Sequence, residues 1–388
     1  MSVIRSERSS AALLLGAAVL GLILANTALG PGLMEIQSSH LSIPALGLDL
    51  SVGHWISDGL LAIFFFIVAV ELKHELVAGE LNSVSKAIHP AIAAIGGVAV
   101  PALIYLAMNA GGSYPQGWPV PTATDIAFAL GVLAIFGRGL PGRIRVFLLA
   151  LAVLDDLIAI VIIAVFFTSN PNLGMLGLAA LTAVAFGLVS RILRGRMRVP
   201  LAVVMVILGV LTWVLVYNSG VHATIAGVVL GLVMSRLPAR KVTHVLEPWS
   251  NGLVLPVFAF SAALVAIPQV PLNKLSAPFW GILIALPVGK LIGITLGGWL
   301  GTFIGRDGNK PKVTLRGLIV IASLGGIGFT VSLLMNELAF SQSHEVVDEG
   351  TLAVLLGSGS SMVLAGILVS ALARKYRREH PHPVAERR

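Results

Sequence analysis

The chain has 388 residues, 56% of them apolar and only 11% charged, with a formal net charge of +8 and no cysteine. Soluble domains carry about 45–50% apolar residues, and apolar runs of about 20 residues recur here from Ala11 to Ala373, so a polytopic membrane protein is indicated. The missing cysteines exclude disulfides, thiolate metal sites and cysteine nucleophiles, and basic residues scattered through short loops argue against nucleic acid as a partner.

Twelve apolar segments are predicted, near 11–29, 55–78, 87–108, 118–137, 143–167, 173–193, 199–217, 219–235, 247–267, 278–304, 315–336 and 350–373. The first follows a signal-peptide-like start, but its apolar run is long and further spans follow, so it reads as a span. The connection 30–54 contains "HLSIPALGLDLSVG", whose partial alternation around a Pro/Gly turn suggests a β-hairpin over about 41–53, although an irregular loop fits the pattern equally. Span 2 has Asp58 near one end and Glu71, Glu75 and Glu80 at the other. Span 4 opens with "WPVPTATDIAFALG", bringing Pro119, Pro121, Thr122, Thr124 and Asp125 together. Span 5 holds Asp155 and Asp156 side by side in "LALAVLDDLIAIVIIAV". His222 lies in "SGVHATIAG" at span 8, His244 and Glu247 lead into span 9, and Lys290 falls in mid-span 10. Span 11 is interrupted by Gly325, Gly326 and Gly328 in "SLGGIGFTVS". No separate soluble domain is expected anywhere in 1–388.

The basic residues test this map. Arg5 and Arg8, Lys73 and Lys86, and Arg138, Arg143 and Arg145 fall on one side of it. Arg191, Arg194, Arg196 and Arg198 follow on that side, as do Arg236, Arg240 and Lys241. Arg306, Lys310, Lys312 and Arg316, then Arg374, Lys375, Arg377, Arg378, Arg387 and Arg388, bring the count there to 24 of 26 Lys and Arg. The opposite connections hold only Lys274. The positive-inside rule then places both termini in the cytoplasm and requires an even number of spans.

Spans 3–5 (about 87–167) and 10–12 (about 278–373) form two trios that begin on opposite sides, each with an interrupted middle member. An inverted pair of this kind points to a secondary transporter with a site near the membrane midplane. Glycines also serve close helix packing, a reading that suits either segment alone better than the matched pair. Carboxylates at membrane depth cost about 2.5–3.5 kcal/mol each even on the lenient insertion scale, and normally mark ion routes. Three acids at depth (Asp125, Asp155, Asp156) against one ammonium (Lys290) leave surplus negative charge, which suits a small hard cation held by oxygen ligands. Asp155 and Asp156 project about 100° apart on a helix, so they need not do the same job, yet both can border one cavity. Cations and protons then compete for the same oxygens. Weaker candidates are His222, more simply a packing residue, and Thr124 and Thr330, which could merely cap freed helix ends.

"TATDIAFALGVLA", "LDDLIAI", "GVHATIAGVVLG", "VGKLIG" and "GGIGFTVS", in this order along nearly the whole chain, resemble the bacterial NhaA sodium/proton antiporters. That family is itself among those from which the inverted-repeat rule is drawn. The resemblance implies an all-α membrane protein of twelve helices with spans 4 and 11 unwound and crossing. It also implies an extracytoplasmic β-hairpin serving a homodimer, and location in the bacterial cytoplasmic membrane with both termini cytoplasmic. By similarity, Asp156 is the principal ligand of the transported Na⁺ or Li⁺. Asp155 is its proton-exchanging partner, and Lys290 pairs with Asp155 when the cation is absent. Asp125, with Thr124 beside it, helps bind or offset the positive helix ends at the crossing. Asp58 and Glu71 match charged positions of the family's span 2 and His222 its histidine; with Glu75, His244 and Glu247 they are expected to serve an entry funnel and pH response, although His244 and Glu247 could equally be merely solvated at the cytoplasmic mouth. No cofactor is implied beyond the transported ions. One departure concerns "ARKVTHVLEPW": Thr243 stands where the family has a glutamate and Glu247 where it has a second histidine, which bears on the pH profile rather than on exchange.

Electrogenic Na⁺(Li⁺)/H⁺ antiport is therefore the expected function. A sodium-coupled symporter would need an enlarged polar or aromatic pocket, and no such cluster is evident. An intramembrane aspartyl protease would need facing aspartates on separate helices sharing a proton, whereas Asp155 and Asp156 are adjacent on one.

Overall fold

The computed structural model describes residues 7–79, 81–168, 171–193, 198–267, 274–304 and 313–379. Arg5, Glu80, Arg194, Arg196, Arg306, Lys310, Lys312, Arg387 and Arg388 lie outside the described residues.

The chain is almost wholly helical. α1 (Glu7–Ala25) turns by 110° into α2 (Gly30–Ser38). A Cβ on Gly30 would sit 2.0 Å from the Ala25 carbonyl oxygen, so the fold-back needs glycine. α2 lies in the connection where no helix was predicted; Pro31 presets its first turn. The expected hairpin follows as β1 (His40–Ile43) and β2 (Leu48–Ser51), paired antiparallel with His40 opposite Ser51 and Ile43 opposite Leu48. Its turn contains Pro44 and closes at Gly47, whose φ of 65° is left-handed. The hairpin stops at Ser51 rather than near 53 because the Ser51 hydroxyl caps the next helix, accepting from His54 N at 3.1 Å.

α3 (Val52–His54) runs through a π-helical turn at Trp55–Leu60 into α4 (Leu61–Ala78), one continuous element of 27 residues. α5 (Val84–Met108) precedes a broken segment, 115–136, whose regular part is α6 (Ile126–Phe136). α7 (Gly142–Phe166), α8 (Leu173–Ile192) and α9 (Arg198–Asn218) are long apolar helices. α10 (Thr224–Val233) is short. α11 (Arg236–Trp249) passes through a π turn, Ser250–Val254, into α12 (Leu255–Ala262). α13 (Ala277–Ile284) passes through another, Ala285–Gly289, into α14 (Lys290–Ile304). α15 (Leu315–Gly325) and α16 (Phe329–Ala339) meet at a 50° bend, and α17 (His344–Glu379) ends the described chain. Among the described residues, eight helices are long and apolar enough to cross a membrane, or ten if each bent pair is one span.

Packing between these helices relies on small residues, as expected where lipid is as apolar as leucine. α5 lies along α14 with backbones almost touching. A Cβ on Gly96 would meet Gly293 O at 2.3 Å, and one on Gly293 would meet Gly96 O at 2.1 Å. Pro101 of α5 packs against Gly289 in the π turn that leads into Lys290. Such turns recur at functional sites because they re-aim the following residue. The densest burial surrounds the α15–α16 bend, where Leu324, Ile327, Ser332 and Met335 are closed off from solvent.

Candidate ion-binding site

Two interrupted segments meet at the centre of the molecule. In the first, a 3-10 turn at Val120–Thr122 gives way to extended backbone, with ψ of 156° at Ala123 and 103° at Asp125, before α6 begins. Pro119 and Pro121 lack N–H groups, and a residue before proline is biased away from helix, so the helix does not form earlier. In the second, α15 stops at Gly325 and α16 starts at Phe329. Gly326 and Gly328 have negative φ, so the glycines are there for space rather than for handedness. A Cβ on Gly328 would meet Ser332 Oγ at 2.2 Å, and one on Gly325 would meet Ile294 at 2.5 Å.

Freed backbone groups at this depth need internal partners, and the two breaks supply them to each other. Asp125 N donates to the Ile327 carbonyl at 2.6 Å. Asp125 Oδ1 accepts from Phe128 N at 3.1 Å, capping α6. Asp125 Oδ2 accepts from Thr330 N at 3.2 Å and from the Thr330 hydroxyl at 2.6 Å, in the first turn of α16. One buried carboxylate thus neutralises two helix N-termini, where the macrodipoles concentrate positive charge. The Thr124 hydroxyl donates to the Gly325 carbonyl at 2.8 Å, and Ser332 donates to Val120 O at 2.8 Å.

Lys290 joins this crossing to α7. Its Nζ donates to Asp155 Oδ2 at 2.7 Å and to Thr124 Oγ1 at 3.0 Å, and its side chain is fully buried. Asp156, the next residue, is buried too but lines a cavity of about 480 Å³ that Asp155 and Lys290 do not line. The expectation that both acids could border one cavity therefore gives way to a split, because the helix turns them to different sides. The cavity floor is Asp156, Asp125, Thr124 and Thr330; its wall carries Glu71, Glu75 and His74; at its rim Arg240, His244 and Glu247 are exposed.

Of the residues expected in the funnel, Glu71, Glu75, His244 and Glu247 are on it. Asp58 and His222 are not: they face each other elsewhere, 3.3 Å apart. The structure places Thr330, a weaker candidate from the sequence, on the floor, and adds Ser250 and Asn251 to the wall and Arg240 to the rim. Thr330 had a sequence cue, its position two residues after the Gly325–Gly328 interruption. Ser250 and Asn251 had none, since they are ordinary polar residues brought in by the π turn after α11. Thr243 also lines the cavity, and its hydroxyl hydrogen-bonds back to Ala239 O at 3.1 Å and Arg240 O at 3.2 Å on its own helix.

Chemically the floor offers carboxylate and hydroxyl oxygen without sulfur or imidazole, a donor set for hard cations. Among the described residues no three His, Asp or Glu side chains converge on one metal-sized point. A cation at Asp156 would complete its shell from hydroxyl, backbone carbonyl and water oxygens.

The Na+/H+ antiporter 1 family model matches residues 1–369. The chain is 59% identical over 381 residues to the Na(+)/H(+) antiporter NhaA 2 of Clavibacter michiganensis subsp. michiganensis, covering 97% of this chain and 93% of that protein. It is 48% identical over 372 residues to the Na(+)/H(+) antiporter NhaA of Tropheryma whipplei strain Twist, covering 95% of each. With the Na(+)/H(+) antiporter NhaA 3 of Streptomyces coelicolor it shares 44% identity over 387 residues, covering 96% of this chain and 80% of that protein. The sequence motifs, the helical membrane architecture and these matches lead to one conclusion: the chain belongs to the Na+/H+ antiporter 1 family.

Proposed function

We propose that this protein is an electrogenic Na⁺(Li⁺)/H⁺ antiporter of the bacterial cytoplasmic membrane, exporting Na⁺ against entering protons by alternating access. The observation that carries the reading is the split between two adjacent acids: Asp156 faces the cavity while Lys290 holds Asp155 at 2.7 Å. Asp156 binds the cation arriving from the cytoplasm. Its charge, added beside Asp155, competes with Lys290, and the cycle closes when protons reload the acids on the other side. Two acids serving one monovalent cation make each cycle move net charge. No cofactor takes part. Asp125 holds the crossing together electrostatically, and Thr124 is the hinge contact between Lys290 and the Gly325 carbonyl.

The twelve-span reading takes α1, Val52–Ala78, α5, residues 115–136, α7, α8, α9, α10, α11 with α12, α13 with α14, α15 with α16, and α17 as the spans. Both termini are then cytoplasmic, as are the cavity rim and its basic loops. α5, 115–136 and α7 form one repeat; α13–α14, α15–α16 and α17 form the inverted second. The mutual hydrogen bonding of the two breaks supports this reading. Glu71, Glu75, His244 and Glu247 tune entry by pH. The hairpin carries exposed Leu41, Ile43 and Leu46, which supports a homodimer contact there.

The test is proton release when Na⁺, Li⁺ or K⁺ is added to everted vesicles. In everted vesicles whose interior respiration has made acid, Na⁺ and Li⁺ entering are expected to draw protons out and alkalinise the interior, and Asp156→Asn to abolish the response. A response unchanged in Asp156→Asn would overturn the reading.

A further inference from the structure

A second, smaller cavity of about 230 Å³ opens where α6 ends and α7 begins. One stripe of α6 lines both cavities: Ile126, Ala127 and Leu130 face the ion cavity, while Leu130, Leu133 and Ala134 face the second, so Leu130 is the partition. From the loop and α7 come Arg138, Leu140, Ile144 and Arg145. Among the described residues no carboxylate lines this cavity, whereas Asp125, Asp156, Glu71, Glu75 and Glu247 line the other. Two guanidiniums repel a cation and attract an anion, so this space is no branch of the Na⁺ route. Its surroundings strengthen that preference. Arg143 Nη2 donates to the Tyr376 hydroxyl at 3.3 Å, and a Cβ on Gly139 would meet the Arg377 stem at 2.7 Å, so the end of α17 lies against the loop. Residues 138–145 and 374–379 together carry seven basic side chains and one acid, Glu379. Exposed Ile135 and Phe136 end α6, and exposed Val146 follows Arg145 on α7. An anion here meets guanidinium on one side and apolar surface on the other, the boundary at which a phospholipid sits. The volume is below the roughly 300–1,000 Å³ of pockets that enclose a whole organic ligand, and suits a headgroup whose chains stay outside.

We propose that this cavity binds the phosphate headgroup of an anionic phospholipid, whose acyl chains lie on the apolar surface of α6 and α7. The forked guanidiniums of Arg138 and Arg145 match phosphate oxygens in two-point contacts. The headgroup joins the end of α6, which begins at Asp125, to the start of α7, which carries Asp155 and Asp156, and so braces the two helices. On the topology proposed above the lipid comes from the cytoplasmic leaflet, and only that detail rests on the antiport reading.

The test uses the purified full chain, stripped of lipid in detergent and followed by thermal unfolding as phosphatidylglycerol, phosphatidylcholine or inorganic phosphate is added. Phosphatidylglycerol is expected to raise the unfolding temperature, and the other two to do little. Arg138→Gln and Arg145→Gln together are expected to weaken the apparent phosphatidylglycerol affinity ~10-fold, from loss of two charges at the headgroup. Arg236→Gln and Lys241→Gln together remove equal charge from exposed positions on α11 and are expected to change it little. Ala134→Leu keeps both arginines and fills the cavity, and it is expected to weaken binding as the arginine pair does. Where the arginine variant fails to fold, Ala134→Leu decides alone. Equal stabilisation by phosphatidylcholine or by inorganic phosphate, equal losses in the two charge-removing variants, or unchanged binding in either cavity variant would overturn the proposal. Asp156→Asn, which is expected to abolish exchange, is expected to respond to phosphatidylglycerol as the wild type does, so the lipid site and antiport stand or fall separately.

Discussion

Lys290 Nζ and Asp155 Oδ2 lie 2.7 Å apart in a pocket closed to solvent, while Asp156, one residue on, opens to the cavity. A buried pair is weak evidence of net stability, but removing one partner strands a charge and costs about 3–5 kcal/mol. Lys290→Met is therefore expected to lower the unfolding temperature in detergent sharply. Asp155→Asn combined with Lys290→Met is expected to recover most of it, because both charges leave together. A double-mutant cycle by thermal unfolding checks this, and equal instability of the single and double variants would contradict it.

The Thr330 hydroxyl reaches Asp125 at 2.6 Å, a charge-assisted bond between the two breaks. Thr330→Val keeps the shape and removes the donor, at an expected cost of about 1.5–3 kcal/mol. Thr330→Ser keeps the hydroxyl and is expected to stay near wild type. Thermal unfolding reports the first effect, and apparent Na⁺ affinity in vesicles should weaken in parallel.

Lys73 donates to the carbonyls of Leu232 at 2.6 Å and Met234 at 2.8 Å, closing the C-terminus of α10. It thus acts as a helix cap reaching over from α4, not simply as one of the loop charges that set topology. Lys73→Met is expected to free both carbonyls, cost about 1–3 kcal/mol, and speed protease cleavage near Ser235. Limited proteolysis from the membrane face that carries Ser235 is the measurement.

Gly293 approaches Gly96 so closely that a methyl group has nowhere to go. Gly293→Ala is expected to push α14 off α5, at a cost of about 1–3 kcal/mol or more. Because Lys290 begins α14, exchange should fall with stability. Gly16 is the control: a Cβ there meets nothing within 4 Å, so Gly16→Ala is expected to be neutral or stabilising by about 0.5–1 kcal/mol.

Asp49 in β2 accepts from Ser42 and contacts His40 Nδ1 at 3.0 Å; the Ser42 hydrogen bond first, then His40, hold its acid below the ordinary 3.8. A carboxylate with a lowered pKa adds stability that is fully present above 3.8 and is lost as pH falls through the lowered value. The hairpin is thus expected to loosen only in strong acid, and Asp49→Asn to remove that dependence. Amide exchange across Ser42 and Leu48 against pH would show it.

Much of this protein was legible from its residues alone. Apolar runs separated by basic loops determined a polytopic helical protein, because the bilayer leaves few alternatives. The same solvent made Asp125, Asp155, Asp156 and Lys290 conspicuous, since charge at depth is costly unless used. Proline and glycine marked both interruptions, and the turn residues Pro44 and Gly47 marked the hairpin. Other features had no local signal. Which of two adjacent aspartates meets the cavity depends on how α7 is rotated against α4, α5 and α15, a matter of packing. The separation of Asp58 and His222 from the funnel has the same origin. Ser250 and Asn251 reach the wall only because a π turn re-aims them, and Lys73 caps a helix far away in sequence. Spacing along a chain sets which side chains a helix can present; only the close approach of glycine-lined helices decides which of them meet.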